Sequence, residues 1–157
     1  MKKILIIAFL LVSSHLQAQF TNELRRDSTD IYIHSFLDVC KYVKKYHPNV
    51  KTIFMHEGNF YSNILPLSVD DLTIRMIDKH EITKKTRGNR FMYITEVFPV
   101  RTEGNTFKVG IIAFRVSRHK KMFHYVNYGG MQYFYKFDSD TGTFKYLNSR
   151  GGLKLSD

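Results

Sequence analysis

The sequence is short of cysteine and tryptophan, and each shortage restricts the fold. Cys40 is the only cysteine, so no intramolecular disulfide can form and the fold depends on its core. Cys40 lies on the apolar face of a predicted helix, which favours a buried, unreactive thiol over a nucleophile. Because the chain has no tryptophan, phenylalanine and tyrosine are left to fill that core.

Long apolar runs are also missing, since a helix needs roughly 20 apolar residues to span a bilayer. The uncharged apolar run at residues 4–12 is shorter, and it follows Lys2 and Lys3. This order of positive charge, short apolar segment and small residue is typical of a secretory signal peptide cleaved after Ala18. We therefore expect residues 1–18 to be removed on export to the periplasm or the extracellular medium. An uncleaved N-terminal anchor is the alternative, and no transmembrane span is expected once the leader is removed.

Acidic residues are scarce relative to basic ones. The sequence has 24 lysines and arginines against 14 aspartates and glutamates, a formal net charge of +10. Removing Lys2 and Lys3 with the leader lowers this charge by two, to +8. The excess favours a partner such as an acidic glycan, a lipid headgroup or an acidic protein. Nucleic acid is not expected as a partner of an exported protein, and a merely solubilising basic surface is the alternative.

Motifs that identify common enzyme and metal sites are missing as well. The sequence contains no GxSxG nucleophile motif, no HExxH zinc motif and no glycine-rich phosphate-binding loop, so we expect no metal and no cofactor. The sharpest local signal is a carboxylate beside an imidazole. Strand spacing would place Asp78 and His80 on one apolar face, where they could act as acid and base. Glu96 on a neighbouring strand is a further catalytic candidate, and solvation of Asp78 and His80 is the alternative.

The first element of the mature chain is a helix predicted over residues 28–47. Ser28 or Thr29 can cap it, and apolar residues recur at three- and four-residue steps, which indicates an amphipathic helix. Pro48 ends it, because the residue before a proline is pushed out of the helical region. The apolar stripe consists of Ile33, Phe36, Leu37, Cys40 and Val43.

Residues 50–147 are predicted to be β-rich, because phenylalanine, tyrosine, valine and isoleucine alternate there between short polar turns. The segment 122–137 is either one long strand bulged at Gly129-Gly130 or two strands that turn there, and we favour the bulge. Residues 149–157 are predicted to be a frayed tail. The predicted strands are residues 50–56, 60–65, 72–82, 91–98, 107–116, 122–137 and 143–147.

Two of the predicted turns carry clusters of cations. One follows the strand ending at Ile82 and the other follows the strand ending at Val116, and alternate turns of an antiparallel meander lie at the same end of a sheet. We therefore expect a basic rim that binds an acidic partner, while a charged edge that only blocks aggregation is the alternative. The rim consists of Lys84, Lys85, Arg87 and Arg90 from the first turn and Arg118, His119, Lys120 and Lys121 from the second.

Aromatic residues crowd the last three predicted strands. Tyrosine combines an apolar ring with a polar tip, which suits a ligand cleft or a partner surface. Packing in the core is the alternative that we prefer for most of them. The tyrosines that are candidates for ligand binding are Tyr125, Tyr128, Tyr133 and Tyr135.

Together these features predict a single α+β domain over residues 19–157, with one N-terminal amphipathic helix packed on a curved, mostly antiparallel sheet. The order of elements is similar in outline to cystatin-like and NTF2-like architectures, although no shared motif supports a family, and such folds host several functions. We expect an exported, non-catalytic binding or interaction domain that uses the aromatic sheet face and the basic rim. A small pocket enzyme with an Asp/His acid–base pair, and a protein–protein inhibitor or secretion accessory, are the alternatives.

Overall fold

The computed structural model of the protein describes residues 28–88 and 90–155. The predicted leader, residues 1–18, lies outside the described residues. No helix in the described part of the chain is both long and apolar enough to cross a membrane. In chain order the elements are α1 (Ser28–Tyr46), β1 (Thr52–His56), β2 (Ser68–Val69), β3 (Leu72–Ile77), α2 (Lys79–Lys85), β4 (Phe91–Val97), β5 (Arg101–Glu103), β6 (Thr106–His119), β7 (Met122–Asp138) and β8 (Thr143–Leu153).

Helix α1 confirms the predicted N-terminal helix, but its buried stripe only partly matches the prediction. Ile33 and Leu37 are half-buried, whereas Ile31 and Val39 are fully buried. Phe36, Cys40 and Val43 are fully buried against the sheet, and the basic side chains of the last turn lie where the helix dipole is negative. Burial raises the pKa of the Cys40 thiol to about 12, with a smaller contribution from the negative charge of Asp70. The expectation of a buried, unreactive cysteine is therefore confirmed.

The strands form one mixed sheet that is mostly antiparallel, as predicted. Its order is β2-β3-β1-β4-β6-β7-β8, and the short strand β5 pairs with β6. Strand β1 runs parallel to β3 and to β4, so the first half of the sheet is not a meander. The bridge between β1 and β4 joins Met55 to Thr95, and this bridge places the next residues, His56 and Glu96, side by side.

Strand β7 is the long bulged strand that the sequence predicts. Its register with β6 shifts between Ile112 and Phe114, opposite the segment that contains Gly129 and Gly130. Gly130 faces Gly152 of β8, and a Cβ at Gly151 would collide with the carbonyl oxygen of Gly130. The two double glycines therefore let β7 and β8 approach closely.

The close approach of β7 and β8 overturns the prediction of a frayed tail. Strand β8 continues to Leu153 instead of ending at residue 147. Leu153 and Leu155 are both buried, because pairing with β7 carries this glycine-rich, polar segment across the core. The low β-propensity of residues 148–153 does not prevent strand formation, because the neighbouring strand β7 supplies the hydrogen bonds.

One further predicted strand is absent, and another is shorter than predicted. Residues 60–65 form turns rather than a strand, with Leu65 N donating to Tyr61 O at 3.1 Å, and both side chains are buried in the core. The strand predicted over residues 72–82 ends at Ile77, because the Asp78 side chain accepts a hydrogen bond from Glu81 N at 2.7 Å and caps α2. An aspartate followed three residues later by glutamate is a helix-start signal that outweighs the strand alternation.

The sheet has two unequal faces. The face packed against α1, called the helix face, carries the larger buried cluster. The opposite face, called the open face, carries a smaller cluster of Ile77, Ile82, Met92, Ile94 and Val116. Within the described residues α2 is the only helix on the open face, and its one buried residue is Ile82.

Candidate functional site

The two cation-rich segments lie at one end of the sheet. Phe91, which begins β4, pairs with Ser117 near the end of β6, so the loop before β4 and the turn after β6 are neighbours. We call the cations of these segments the basic end. The basic end consists of Lys84, Lys85, Arg87, Arg90, Arg118, Lys120 and Lys121.

Positive charge dominates the sequence of the two segments that form the basic end. Residues 84–94 and 113–124 contain no aspartate or glutamate, and in the described residues none of the seven cations forms an ion pair. Lys85 Nζ instead lies 4.6 Å from the centre of the Phe54 ring. Most of the other cations are exposed, so their fields add in the adjoining solvent.

Apolar side chains are exposed beside these cations. Met122 at the β6–β7 turn is 64% exposed, and Phe91 is 41% exposed. Lys120, the first residue of the turn, has φ of 55°, a conformation that strains a residue with a Cβ and suits glycine. A lysine therefore occupies a position that glycine would adopt with less backbone strain.

A second polar feature on the open face joins three strands. His56 Nε2 lies 3.3 Å from Glu96 Oε1 and 3.2 Å from the Tyr125 hydroxyl. The side chains of His56 and Glu96 are 23% and 25% exposed, and burial together with the Glu96 charge raises the pKa of Tyr125. We call these three residues the open-face triad. The triad is an imidazole placed between a carboxylate and a phenol, all partly shielded from water.

The predicted acid–base pair is not assembled as a pair on a sheet face. Asp78 caps α2 with its carboxylate, and His80 lies exposed in the same helix. Both side chains are exposed to solvent, which is the alternative that the sequence also allows. Glu96, the third catalytic candidate, contacts His56 instead.

Two of the four candidate tyrosines are core residues. Tyr133 and Tyr135 are fully buried on the helix face. The Tyr135 hydroxyl lies 2.6 Å from His34 Nδ1 and 2.7 Å from Ser35 Oγ, and the Tyr133 hydroxyl donates to Asp38 Oδ2 at 3.1 Å. These bonds attach α1 to β7, so both tyrosines serve the fold and are closed to a ligand. His34 is partly buried by the same contacts.

The other two candidate tyrosines remain near the surface. Tyr125 is 42% exposed and belongs to the open-face triad. Tyr128 is half-buried, with its ring centre 5.4 Å from that of Tyr93. Burial near Asp38 raises the pKa of Tyr133 far above its usual range, which underlines the difference between the buried and the accessible pairs.

Metal ligands are not clustered in the structure. Residues 28–88 and 90–155 contain no group of three or more histidine, cysteine, aspartate or glutamate side chains placed to hold a metal ion. The open-face triad has two such side chains and a tyrosine. The three side chains form a cluster that can exchange protons, in which His56 contacts both the carboxylate and the phenol.

His56 is the member of the triad that sequence patterns do not single out. Its position beside Glu96 depends on parallel pairing between strands that are far apart in the chain, and no local spacing announces that pairing. Arg115, whose guanidinium lies 4.0 Å from the centre of the Phe91 ring across the antiparallel pair β4–β6, is a further residue that no sequence motif marks.

Comparison with protein-family models and with curated proteins finds no match to this chain, so its function has to be inferred from the geometry described above.

Proposed function

We propose that the protein is a non-catalytic binding domain that holds an anionic partner at its basic end. The observation that carries the proposal is the pairing of Phe91 with Ser117, which brings two separate cationic segments together. None of the seven cations forms an ion pair in the described residues, and Glu81, the acidic residue of α2 nearest to them in sequence, is paired with Arg75. Such a cluster favours a partner with several negative charges. Exposed Phe91 and Met122 add apolar contact area beside that charge.

The partner is defined by its chemistry as a polyanionic chain or surface. An acidic glycan, a lipid headgroup layer and an acidic protein all present repeated negative charges to such a patch. Binding through exposed charges weakens as salt is added, because ions screen charges separated by more than the Debye length, about 8 Å at physiological ionic strength. Retention on dextran sulfate, polyglutamate and phosphatidylglycerol vesicles compares the three classes directly.

Charge reversal tests the basic end. The variant with Lys84, Lys85, Lys120 and Lys121 changed to Glu is expected to bind each polyanion about tenfold more weakly or worse, since each lost contact contributes a fraction of a kcal/mol or more. A matched control changes the exposed lysines Lys41, Lys45, Lys136 and Lys154 to Glu, which alters net charge equally. Equal losses in both variants would reduce the proposal to a general effect of net charge.

Lys120 offers a finer test. Lys120→Gly removes one charge and relieves the positive-φ strain of the turn. The variant is expected to unfold at the same urea concentration as the wild type or a higher one, and yet to bind polyanions more weakly. Unchanged or tighter binding would show that Lys120 plays no part in recognition.

The open-face triad favours a second candidate function, acid–base chemistry on a small substrate. The observation behind it is the placement of His56 Nε2 within 3.3 Å of Glu96, close to the distances that proton transfer requires. A panel of chromogenic esters, phosphoesters and glycosides would reveal turnover. Activity that survives in Glu96→Gln and His56→Gln would remove this candidate, as the absence of any turnover would.

Export of residues 19–157 belongs to the same proposal, since the partners considered lie outside the cytoplasm. It is supported by the order of charge and apolar residues in the leader. N-terminal sequencing of exported protein is expected to begin at Gln19. The finer likeness to cystatin-like or NTF2-like outlines is likewise a proposal, supported by one long N-terminal helix packed on a mostly antiparallel sheet.

A further inference from the structure

A groove lies on the open face at the opposite end of β6 from the basic end. It has a volume of about 690 Å³. Gly110 lies on its lining, and Ser117 at the basic end is roughly 23 Å farther along β6, at about 3.3 Å per residue. The groove is therefore a separate site, and its residues are not those of the proposed polyanion surface.

Gly110 leaves open space in the groove, although packing does not require a glycine at this position. Gly110 lies inside β6, where glycine weakens a strand relative to alanine. A Cβ at this position would meet only Phe98 Cβ, at 3.8 Å, an ordinary contact. At Gly130, by contrast, a Cβ would lie 3.0 Å from Ile111 O and from Ile112 Cγ1. The fold explains Gly130, whereas the open space above Gly110 points to something that occupies it.

Cations outnumber carboxylates along the groove. Its lining includes Arg101, Lys108 and Arg150 against the single carboxylate of Glu103, and Glu103 is already paired with Lys108. In the part of the chain that the structure describes, the Arg101 side chain has no hydrogen-bond or ion-pair partner. Arg150 lies 5.3 Å above the Phe134 ring, and this stacking leaves the donors at the edge of its guanidinium available.

The rest of the lining is mostly apolar. Phe98 and Ile112 border the open space above Gly110, and Pro99 is also part of the lining. Sites for small molecules have volumes of roughly 300–1,000 Å³ and combine apolar walls with a few polar groups. A ligand that fits must therefore have an apolar part and at least one negative charge.

We propose that this groove binds a small organic oxyanion, a carboxylate or a phosphate that carries an apolar group. The oxyanion pairs with Arg101 and Arg150, whose planar forks match two oxygens of either group. The apolar group lies over Gly110 between Phe98 and Ile112. Lys108 remains paired with Glu103, so the net positive charge of the groove comes from Arg101 and Arg150.

Calorimetry with three probes of equal chain length tests the ligand class. Decanoate and decyl phosphate, each below its micelle concentration, are expected to bind saturably with one molecule per chain, and decanol about tenfold more weakly or not at all. The tighter of the two anions identifies the oxyanion. Equal binding of decanol, or no saturable binding of either anion, would overturn the proposal.

Variants then locate the probe in the groove. Gly110→Ala and Gly110→Val fill the open space in steps, and the anion affinity is expected to fall with side-chain size, to about a tenth or less for valine. The unfolding midpoint of Gly110→Ala is expected to equal or exceed that of the wild type. If Gly110→Val does not fold, the anion affinities of Gly110→Ala and of Arg101→Gln/Arg150→Gln test the proposal instead.

The arginine pair should bind the anions about tenfold more weakly and decanol unchanged. Its matched control is Lys41→Gln/Lys45→Gln on the exposed side of α1, which removes the same charge outside both proposed binding surfaces and should leave anion affinity unaltered. Undiminished binding in the alanine, valine and groove-arginine variants, or equal loss in the lysine control, would contradict a site in this groove.

Discussion

The two faces of the sheet differ in what their polar groups do. On the helix face, Tyr133 and Tyr135 are fully buried and their hydroxyls bond to α1. On the open face, His56 and Glu96 are partly exposed. At the basic end, none of the seven cations forms an ion pair with another described residue. Buried polar groups have to be paired, whereas partly exposed ones remain available to a ligand. The polar groups of the helix face therefore stabilise the fold, and those of the open face are the candidates for recognition of a partner.

The cover of each face explains the difference. Helix α1 has 19 residues and buries a continuous stripe, while α2 has seven and buries Ile82 alone. A short helix covers only part of a sheet, so the ends of the open face stay accessible. Substitutions on the helix face should therefore lower stability much more than equivalent substitutions on the open face.

The largest expected effect is on Phe36, which is fully buried on the side of α1 that faces the sheet. Phe36→Ala removes that contact and leaves a cavity, so the free energy of unfolding should fall by about 3–5 kcal/mol. Met122→Ala at the β6–β7 turn is the control, and its effect should stay within about 0.5 kcal/mol because the side chain is 64% exposed. Urea denaturation measures both. Comparable losses would break the division between the faces.

The next effect compares two tyrosine hydroxyls. Tyr135→Phe removes the hydroxyl that bonds His34 and Ser35 and should destabilise the protein by about 1–3 kcal/mol. Tyr125→Phe removes a partly exposed hydroxyl whose contact with His56 water can replace. Its loss should be clearly smaller in the same denaturation assay. An equal or larger loss for Tyr125→Phe would make the triad a structural element.

Alkaline pH should weaken the helix face. The pKa of Cys40 is raised from 9.0 to about 12 by burial, and burial also raises that of Tyr133. Folding keeps these groups protonated while the unfolded chain ionises, so stability is complete below pH 9 and falls as pH rises towards 12. Cys40→Ala should flatten this slope in urea titrations between pH 8 and 11. An unchanged slope would show that Cys40 ionises as easily in the folded protein.

The smallest expected effect concerns an exposed ion pair that ties α1 to the sheet. Hydrogen bonds from Lys44 and Lys51 lower the pKa of Asp71 below its ordinary value of 3.8. A lowered pKa stabilises the fold above that value, and the contribution disappears as pH falls through the folded pKa. Asp71→Asn should therefore lower the melting temperature slightly at pH 7 and leave it unchanged near pH 2. A difference that persists in acid would point to another cause.

The elements that the sequence predicts correctly are those with local signals. The stripe of α1 repeats at helical spacing, and glycines at 129–130 mark the bulge of β7. Apolar alternation predicts that the strand continues from Asp78 to Ile82. Instead, Asp78 accepts a hydrogen bond from Glu81 N and starts helix α2. The extension of β8 to Leu153 depends on contact between glycines of two strands, which composition does not reveal.

The candidate sites divide in the same way. The positions of Lys84 and Lys120 at one end of the sheet follow from local strand order and antiparallel pairing. His56 and Glu96 meet only because β1 and β4 run parallel, and a parallel pair requires a long connection whose course no short motif records. The space above Gly110 depends on the position of Phe98 across a turn and a neighbouring strand. Such contacts become visible only in three dimensions.

The most direct test of this division measures stability and binding in one variant. Changing Lys84, Lys85, Lys120 and Lys121 to Glu should weaken retention on phosphatidylglycerol vesicles, dextran sulfate and polyglutamate by about tenfold or more. The free energy of unfolding should fall by no more than about 2 kcal/mol, because the main losses are two cations in the last turn of α2 and the contact of Lys85 with Phe54. Binding that persists in the folded variant, or binding lost only together with the fold, would contradict a recognition role for the open face.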